Sequence, residues 1–111
     1  MEKMPFGEFC RVFGINPRNR IIEFFLEMRE LDFSIGDVAK ETKLSRATAY
    51  NVIEDLLEKG YLIPTRKVSG GQLYKLNVNK EEVKILIKAF NFVLSGLVRE
   101  YENKRKEKVY A

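Results

Sequence analysis

The sequence has no histidine, no tryptophan and a single cysteine, Cys10, among its 111 residues. Each absence closes a route. One cysteine cannot form an intramolecular disulfide, and without histidine a zinc site of the usual Cys/His type cannot be assembled from one chain. The commonest general acid or base near neutral pH is missing, and serine or cysteine nucleophiles lose their usual partner. The acidic residues are scattered, with no pairing at a spacing that implies catalysis, so neither an enzyme nor a cofactor is expected. No uninterrupted apolar run is long enough to cross a bilayer, because Lys84, Lys88, Asn91 and Arg99 break up the longest candidate. The opening Met1-Glu2-Lys3-Met4-Pro5 lacks the hydrophobic stretch of a secretory signal. A cytoplasmic protein without membrane contact is the expectation.

What remains suffices for one packed core. Apolar residues make up 45% of the chain, enough to exclude wholesale disorder, and the length suits one compact domain. The formal net charge is +4, which points weakly to a polyanionic partner. Its distribution says more. From Lys43 to Lys75 the cations Lys43, Arg46, Lys59, Arg66, Lys67 and Lys75 face only Glu54, Asp55 and Glu58. The stretch before it, Arg20 to Glu41, carries a surplus of carboxylates.

Periodicity and punctuation divide the chain into elements. Phe6, Phe9, Cys10 and Phe13 fall on one side of a short helix that Gly14 can end, which makes Cys10 a buried small hydrophobe. Asn16-Pro17 is a helix start, with Asn as cap and Pro in the first helical position. Ile21, Ile22, Phe24, Phe25, Leu26 and Met28 then place apolar groups on more than one side, as in a central helix. Leu31-Asp32-Phe33 suits a brief extended segment. Ser34, three residues before Asp37, resembles a capping box and opens a helix containing Ile35, Val38 and Ala39. Thr42-Lys43-Leu44 interrupts that helix. Ser45 caps the next one, whose inward residues are Ala49, Ile53, Leu56 and Leu57 and whose end is marked by Gly60.

The period then changes. Tyr61-Leu62-Ile63 and Leu73-Tyr74-Lys75-Leu76 suit two strands joined through Arg66, Lys67, Val68 and a Ser69-Gly70-Gly71 turn, with Pro64 on the outer edge. Asn79 is the expected cap of a long final helix, acidic at its start (Glu81, Glu82) and basic at its end (Lys104, Arg105, Lys106, Lys108), as the helix dipole favours. Two helices joined by a tight turn and followed by a glycine-tipped hairpin define the expected fold class. It is mainly α with a small β-hairpin wing: a winged helix-turn-helix with an extra N-terminal helix and a long C-terminal helix. The expected divisions are an extension over 1–14, the winged domain over 15–78 and a terminal helix over 79–111.

Within this frame Ala39 is small where the two helices approach, and Leu44 plugs the gap between them. At about 3.6 residues per turn, Ala47, Thr48, Asn51, Glu54 and Asp55 point away from the core, with Tyr50 at the edge. Glu54 and Asp55 put negative charge further along that face, so only the N-terminal end of the helix suits a groove. The run from Phe13 to Leu26 resembles the opening of many small archaeal winged-helix regulators. Ile35-Gly36-Asp37-Val38-Ala39-Lys40-Glu41-Thr42, Leu44-Ser45-Arg46-Ala47-Thr48-Ala49-Tyr50 and Leu56-Leu57-Glu58-Lys59-Gly60-Tyr61 are similar to the helix-turn-helix of the MarR/ArsR-like group. The resemblance covers about residues 13–78 and implies a regulator of transcription that binds double-stranded DNA. It implies that Ser45, Arg46, Thr48, Tyr50 and Asn51 enter the major groove. Arg46 would meet guanine or phosphate, Asn51 adenine, and Ser45 and Thr48 phosphate oxygens. Arg66, Lys67 and Gln72 of the wing would reach the backbone or minor groove, with Lys43 and Arg18 adding phosphate contacts.

The final helix carries more apolar surface than one domain needs. One stripe holds Val83, Leu86, Ile87, Phe90, Val93, Leu94, Leu97, Val98 and Tyr101; a second set, Ile85, Ala89, Phe92 and Gly96, lies on another side. The surplus predicts a partner surface, and the resemblance implies a homodimer. Ile85, Ala89, Phe92, Val93, Gly96 and Leu97 are the candidate interface. No histidine or cysteine cluster and no glycine-rich phosphate loop points to a small effector; if there is one, an apolar pocket between the domain and the terminal helix is its expected place. The same fold also serves weakly specific chromatin-like DNA binders and protein-interaction modules, and both alternatives stay open at this level.

Overall fold

The computed structural model describes residues 6–110, and for residues 97–101 and 104–110 it describes the course of the backbone only. The elements are α1 (Glu8–Phe13), α2 (Pro17–Glu27), α3 (Ile35–Thr42), α4 (Arg46–Glu58), β1 (Leu62–Val68), β2 (Gly71–Leu76) and α5 (Glu81–Tyr110). This is the expected architecture: five helices and one antiparallel hairpin.

α2 lies at the centre. Every residue from Ile21 to Leu26 is buried, so this helix has neighbours all round and packs against α1, α3, α4 and α5. Its start is built as expected: the Asn16 side chain accepts a hydrogen bond from the Asn19 N–H at 2.8 Å, with Pro17 in the first helical position. Phe24 and Phe25 extend an aromatic cluster to Phe33, the ring centroids of Phe24 and Phe33 being 4.7 Å apart. Phe33 in turn exchanges two backbone hydrogen bonds of 2.8 Å with Tyr74, so the brief extended segment becomes a third rung on the free side of β2.

One residue inside this all-round apolar shell is charged. Glu23 is only 3% exposed, and its carboxylate accepts from the Gly7 N–H and, at 3.0 Å, from the Cys10 N–H. Those are otherwise orphan donors at the start of α1, so a side chain from α2 caps a helix remote in sequence. Cys10 is fully buried beside it. Burial, with the nearby Glu23 charge adding to it, pushes the thiol up to about 12, the behaviour of an inert packing residue. The apolar stripe foreseen for α1 is less one-sided than expected. Phe6 precedes the helix, and Phe13, in its last turn, is exposed although its ring lies 4.9 Å from Phe9.

The wing strands are longer than their apolar cores. β1 pairs with β2 from Leu62↔Leu76 to Val68↔Gly71, with a one-residue slip between Pro64 and Lys67. That slip is a β-bulge at Thr65-Arg66. Pro64 lies on the outer strand, opposite Tyr74 whose N–H and carbonyl are taken by Phe33, so no ladder bond is lost there. Tyr61 is not in the strand. Its N–H bonds to the Leu56 carbonyl and the Gly60 N–H to the Leu57 carbonyl, closing α4 around Gly60 at φ 76°. Asn79 does not cap α5 either. The helix starts at Glu81, and it is Asn77 whose side chain shapes the approach, accepting from the Asn79 N–H and donating to the Gly60 carbonyl. The expected basic end of α5 at Lys104–Lys108 lies outside the described side chains.

Candidate nucleic-acid interface

The turn between α3 and α4 owes its shape to a non-glycine residue in left-handed conformation. Lys43 has φ 57° and ψ 38°, and beyond it the Leu44 N–H reaches back to the Ala39 carbonyl at 3.0 Å. Leu44 packs on the core and Ala39 is buried, so the plug and the small contact residue are where the sequence put them. Arg20 of α2 donates to the Thr42 carbonyl, and the Thr42 hydroxyl to the Val38 carbonyl at 2.7 Å. The end of α3 is thereby tied to the central helix, and with it the start of α4.

α4 buries Ala49, Ile53 and Leu56 and turns Arg46, Ala47, Tyr50, Asn51 and Glu54 to solvent. Ser45 caps it: its hydroxyl oxygen accepts from the Thr48 N–H at 3.1 Å and it donates to the Thr48 hydroxyl at 2.8 Å. Ser45 and Thr48 therefore stand as a hydrogen-bonded pair at the helix mouth, Thr48 half-buried. The guanidinium of Arg46 lies over the first turn of α3, where a Cβ added to Gly36 would sit 3.8 Å from its Cζ. Lys43, Ser45, Arg46, Thr48, Tyr50 and Asn51 thus gather on the turn and the first two turns of α4. Among the described residues, no ion pair engages Lys43 or Arg46.

Of the two carboxylates further along, Glu54 is exposed on this face as expected, whereas Asp55 behaves differently. Asp55 forms ion pairs with Arg18 of α2 and, at 2.7 Å, with Lys59. These bonds, Lys59 first and Arg18 second, hold the Asp55 carboxyl below its ordinary range. Its charge is compensated within the chain, and Arg18, foreseen as a phosphate contact, is committed to fixing α4 against α2.

On the wing, Lys67 is exposed, whereas Arg66 and Gln72 are engaged. Asp32 takes Arg66 through Nε at 3.0 Å and Nη2 at 3.3 Å, and Thr65 donates to the same carboxylate at 2.6 Å. Gln72 folds back, donating to the Arg66 carbonyl at 3.1 Å and the Leu73 carbonyl at 3.0 Å. Gln72 is thus a brace of the bulge. Asp32, Thr65 and Glu23 were missed by reading the sequence, since Asp32 lies 33 residues from Thr65 and 34 from Arg66, and Glu23 lies 16 from Gly7.

The terminal helix presents two faces. Val83 and Phe90 are buried, with Leu86 and Ile87 packed beside them, whereas Ile85 and Phe92 are 65% and 68% exposed. Ala89, Val93 and Gly96 are half-buried, and a Cβ added to Gly96 would meet nothing within 4 Å. Leu97, like Val98 and Tyr101, lies outside the described side chains. A half-open cavity of about 500 Å³ opens between the start of α1, α2 and the end of α3, lined by groups such as Phe6, Arg20, Glu23 and Lys40. It is not the apolar pocket against α5 that the sequence suggested. Among the described residues no cluster of three or more acidic or cysteine ligands could hold a metal, and no helix is long and apolar enough to cross a membrane.

Comparison with known proteins agrees with this geometry. A family profile described as an HTH domain matches residues 17–73, just over half of the chain. Among curated proteins none matches the sequence. In solved structures the fold recurs at low identity. ZitR of Lactococcus lactis, a variant in apo form, superposes with a TM-score of 0.58 at 13% identity, covering 78% of this chain and 65% of that one. A MepR variant of Staphylococcus aureus bound to an oligodeoxyribonucleotide gives 0.63 at 13% identity, over 93% and 78% of the two chains. A protein of the thermoacidophilic archaeon Sulfolobus tokodaii gives 0.52 at 17% identity, over 86% and 88%. The chain thus spans just under two thirds of ZitR and over three quarters of the other two. With the turn at Lys43, the capped α4 and the profile match falling on the same residues, the chain belongs to the helix-turn-helix (HTH) domain family.

Proposed function

We propose that this protein binds double-stranded DNA and regulates transcription, with the N-terminal end of α4 in the major groove and the wing on the flanking backbone. The observation that carries the reading is the mouth of α4: hydroxyls, a guanidinium, a phenol and an amide gather on a rigidly tied turn, while Asp55, one of the two carboxylates behind them, is neutralised by Arg18 and Lys59. Arg46 and Asn51 have the donor geometry for guanine and adenine edges, and Ser45, Thr48 and Lys43 suit phosphates. MepR, similar in fold, has been captured on an oligodeoxyribonucleotide.

In this reading residues 15–78 form the DNA-binding unit, 79–111 the helix that pairs two copies and 1–14 an N-terminal extension, whose α1 packs on α5. The exposed Ile85, with Ala89, Phe92, Val93 and Gly96, forms the contact between protomers. Pairing sets two recognition helices about 34 Å apart, on a pseudo-palindrome. The resemblance of the α2 and α3–α4 runs to small archaeal regulators of the MarR/ArsR-like group supports placing the protein there, acting on DNA in the cytoplasm. Genomic immunoprecipitation tests the assignment: discrete bound fragments are expected, and they should be lost in R46A and N51A. Occupancy unchanged in both variants refutes it.

A further inference from the structure

The wing carries a clamp built on one half-buried carboxylate, Asp32. On a regular strand, neighbouring side chains point to opposite faces. The bulge at Thr65-Arg66 breaks that alternation. Both side chains reach one carboxylate: Asp32 Oδ2 accepts from Thr65 Oγ1 at 2.6 Å and from Arg66 Nε at 3.0 Å, while Oδ1 accepts from Arg66 Nη2 at 3.3 Å. Gln72 locks the bulge from the other strand through the Arg66 and Leu73 carbonyls. Asp32 comes from the segment before Phe33, which is itself hydrogen-bonded to β2, so the carboxylate is anchored to the sheet on which the wing rests. The exposure of the pair is lopsided: the Asp32 side chain is 18% exposed and that of Arg66 67%. One edge of the guanidinium is held and the rest is open to solvent.

We propose that Asp32 is a positioning residue for DNA binding, holding Arg66 so that its remaining N–H donors meet a phosphate oxygen flanking the site read by α4. The inference rests on the DNA-binding reading above and adds to it the residue that sets the wing contact. A guanidinium on a flexible stem loses rotamer freedom when it docks; one already held by its Nε edge loses less. A fork that spends one edge on a carboxylate keeps donors in fixed directions for a second anion. The bonds from Arg66 and Thr65 hold the Asp32 carboxyl below its ordinary range, so the clamp persists through neutral pH. Simple charge counting makes the opposite forecast, since a carboxylate beside a phosphate repels it. The sign of the Asp32 effect therefore decides.

The test is a fluorescence-anisotropy titration of the full chain at fixed low salt. It uses a duplex recovered by immunoprecipitation and a random duplex of equal length. R66A should lose about tenfold in affinity. D32A should lose several-fold despite making the protein more cationic, by the same factor on both duplexes, as a phosphate contact requires. The double variant D32A/R66A should bind no more weakly than R66A, because one contact cannot be lost twice. D32N, whose amide oxygen still accepts a hydrogen bond, should fall between. In the free protein the Arg66 Nε–H resonance should exchange slowly and should lose that protection in D32A; if D32A does not fold, D32N carries the same readouts. Equal or tighter binding by D32A or D32N, or a loss that adds to that of R66A, overturns the proposal. If R46A weakens binding while the Asp32 variants do not, only the wing inference fails; absence of any wild-type complex removes both.

Discussion

α2 and α5 are both apolar on more than one side, and they use that surface in opposite ways. α2 buries every residue from Ile21 to Leu26, including a carboxylate, because α1, α3, α4 and α5 surround it. α5 buries Val83 and Phe90 but leaves Ile85 and Phe92 largely exposed. A hydrophobic pattern thus marks a surface, and only the fold says how much of it the same chain covers. The polar residues sharpen the contrast. Glu23 within α2 completes the start of α1, whereas Arg29 just beyond α2 reaches α5 by lying 6.0 Å from the Phe90 ring centroid and donating to Asn91 at 3.2 Å.

Paired truncations break the comparison most strongly. Phe25→Ala opens a cavity in the fully buried centre and should cost about 3–5 kcal/mol in denaturant unfolding. Ile85→Ala should change the stability of the isolated chain by only about 0.5 kcal/mol, while Ile85→Glu should shift sedimentation from dimer to monomer with the far-ultraviolet spectrum unchanged. A cost above about 2 kcal/mol for Ile85→Ala under conditions where the chain is monomeric would mean that α5 is covered from within.

Next in size is Glu23. Glu23→Ala strands the Gly7 and Cys10 N–H groups and should cost about 2–3 kcal/mol; Glu23→Gln, which keeps an acceptor, about half of that. Hydrogen exchange should show the loss first in α1. Equal protection of α1 in both variants and wild type would mean that apolar contact alone docks it.

Lys43 separates stability from function. Its left-handed backbone is costly for a residue with a Cβ, so Lys43→Gly should raise stability by about 1 kcal/mol while weakening binding to duplex DNA. A glycine variant that bound DNA as tightly as wild type would remove Lys43 from the interface.

The smallest effect concerns acid. A carboxyl held below its ordinary value contributes stability that is present above the unfolded value, about 3.9, and is lost as pH falls through the lower folded one. Asp55 meets that condition, so wild type should lose a modest increment in acid-unfolding experiments below about pH 4 that Asp55→Asn lacks. Identical acid limbs would show that Arg18 and Lys59 do not hold α4.

Much of this was legible in the sequence, for reasons that particular residues make plain. Asn16, Ser34 and Ser45 announced three helix starts because a cap bonds only two or three residues ahead. Gly14 and Gly60 marked ends through their positive φ. Helical period put Ala47 and Asn51 on the outer face of α4, and the resemblance to winged-helix regulators added Lys43, Ser45, Arg46 and Tyr50. What the sequence did not disclose depended on long-range pairing or on competing turns. Asn79 looked like a cap, yet Asn77 formed the turn. Gln72 read as a wing residue free to reach out, and its amide bonds across the bulge to the Arg66 and Leu73 carbonyls. Arg18 and Arg66 looked free, and each had a carboxylate 37 or 34 residues away. Local chemistry is written in adjacent letters; an ion pair between distant elements is not.

The measurement that bears most directly on the central claim is the salt dependence of duplex binding by wild type and R46A. Each phosphate neutralised should contribute about −0.9 to the slope of log K against log salt. Wild type should form a complex in dilute buffer with a steep negative slope, and R46A should bind more weakly. No complex with any duplex in dilute buffer, or identical curves for the two proteins, would contradict a role for the mouth of α4 in holding DNA.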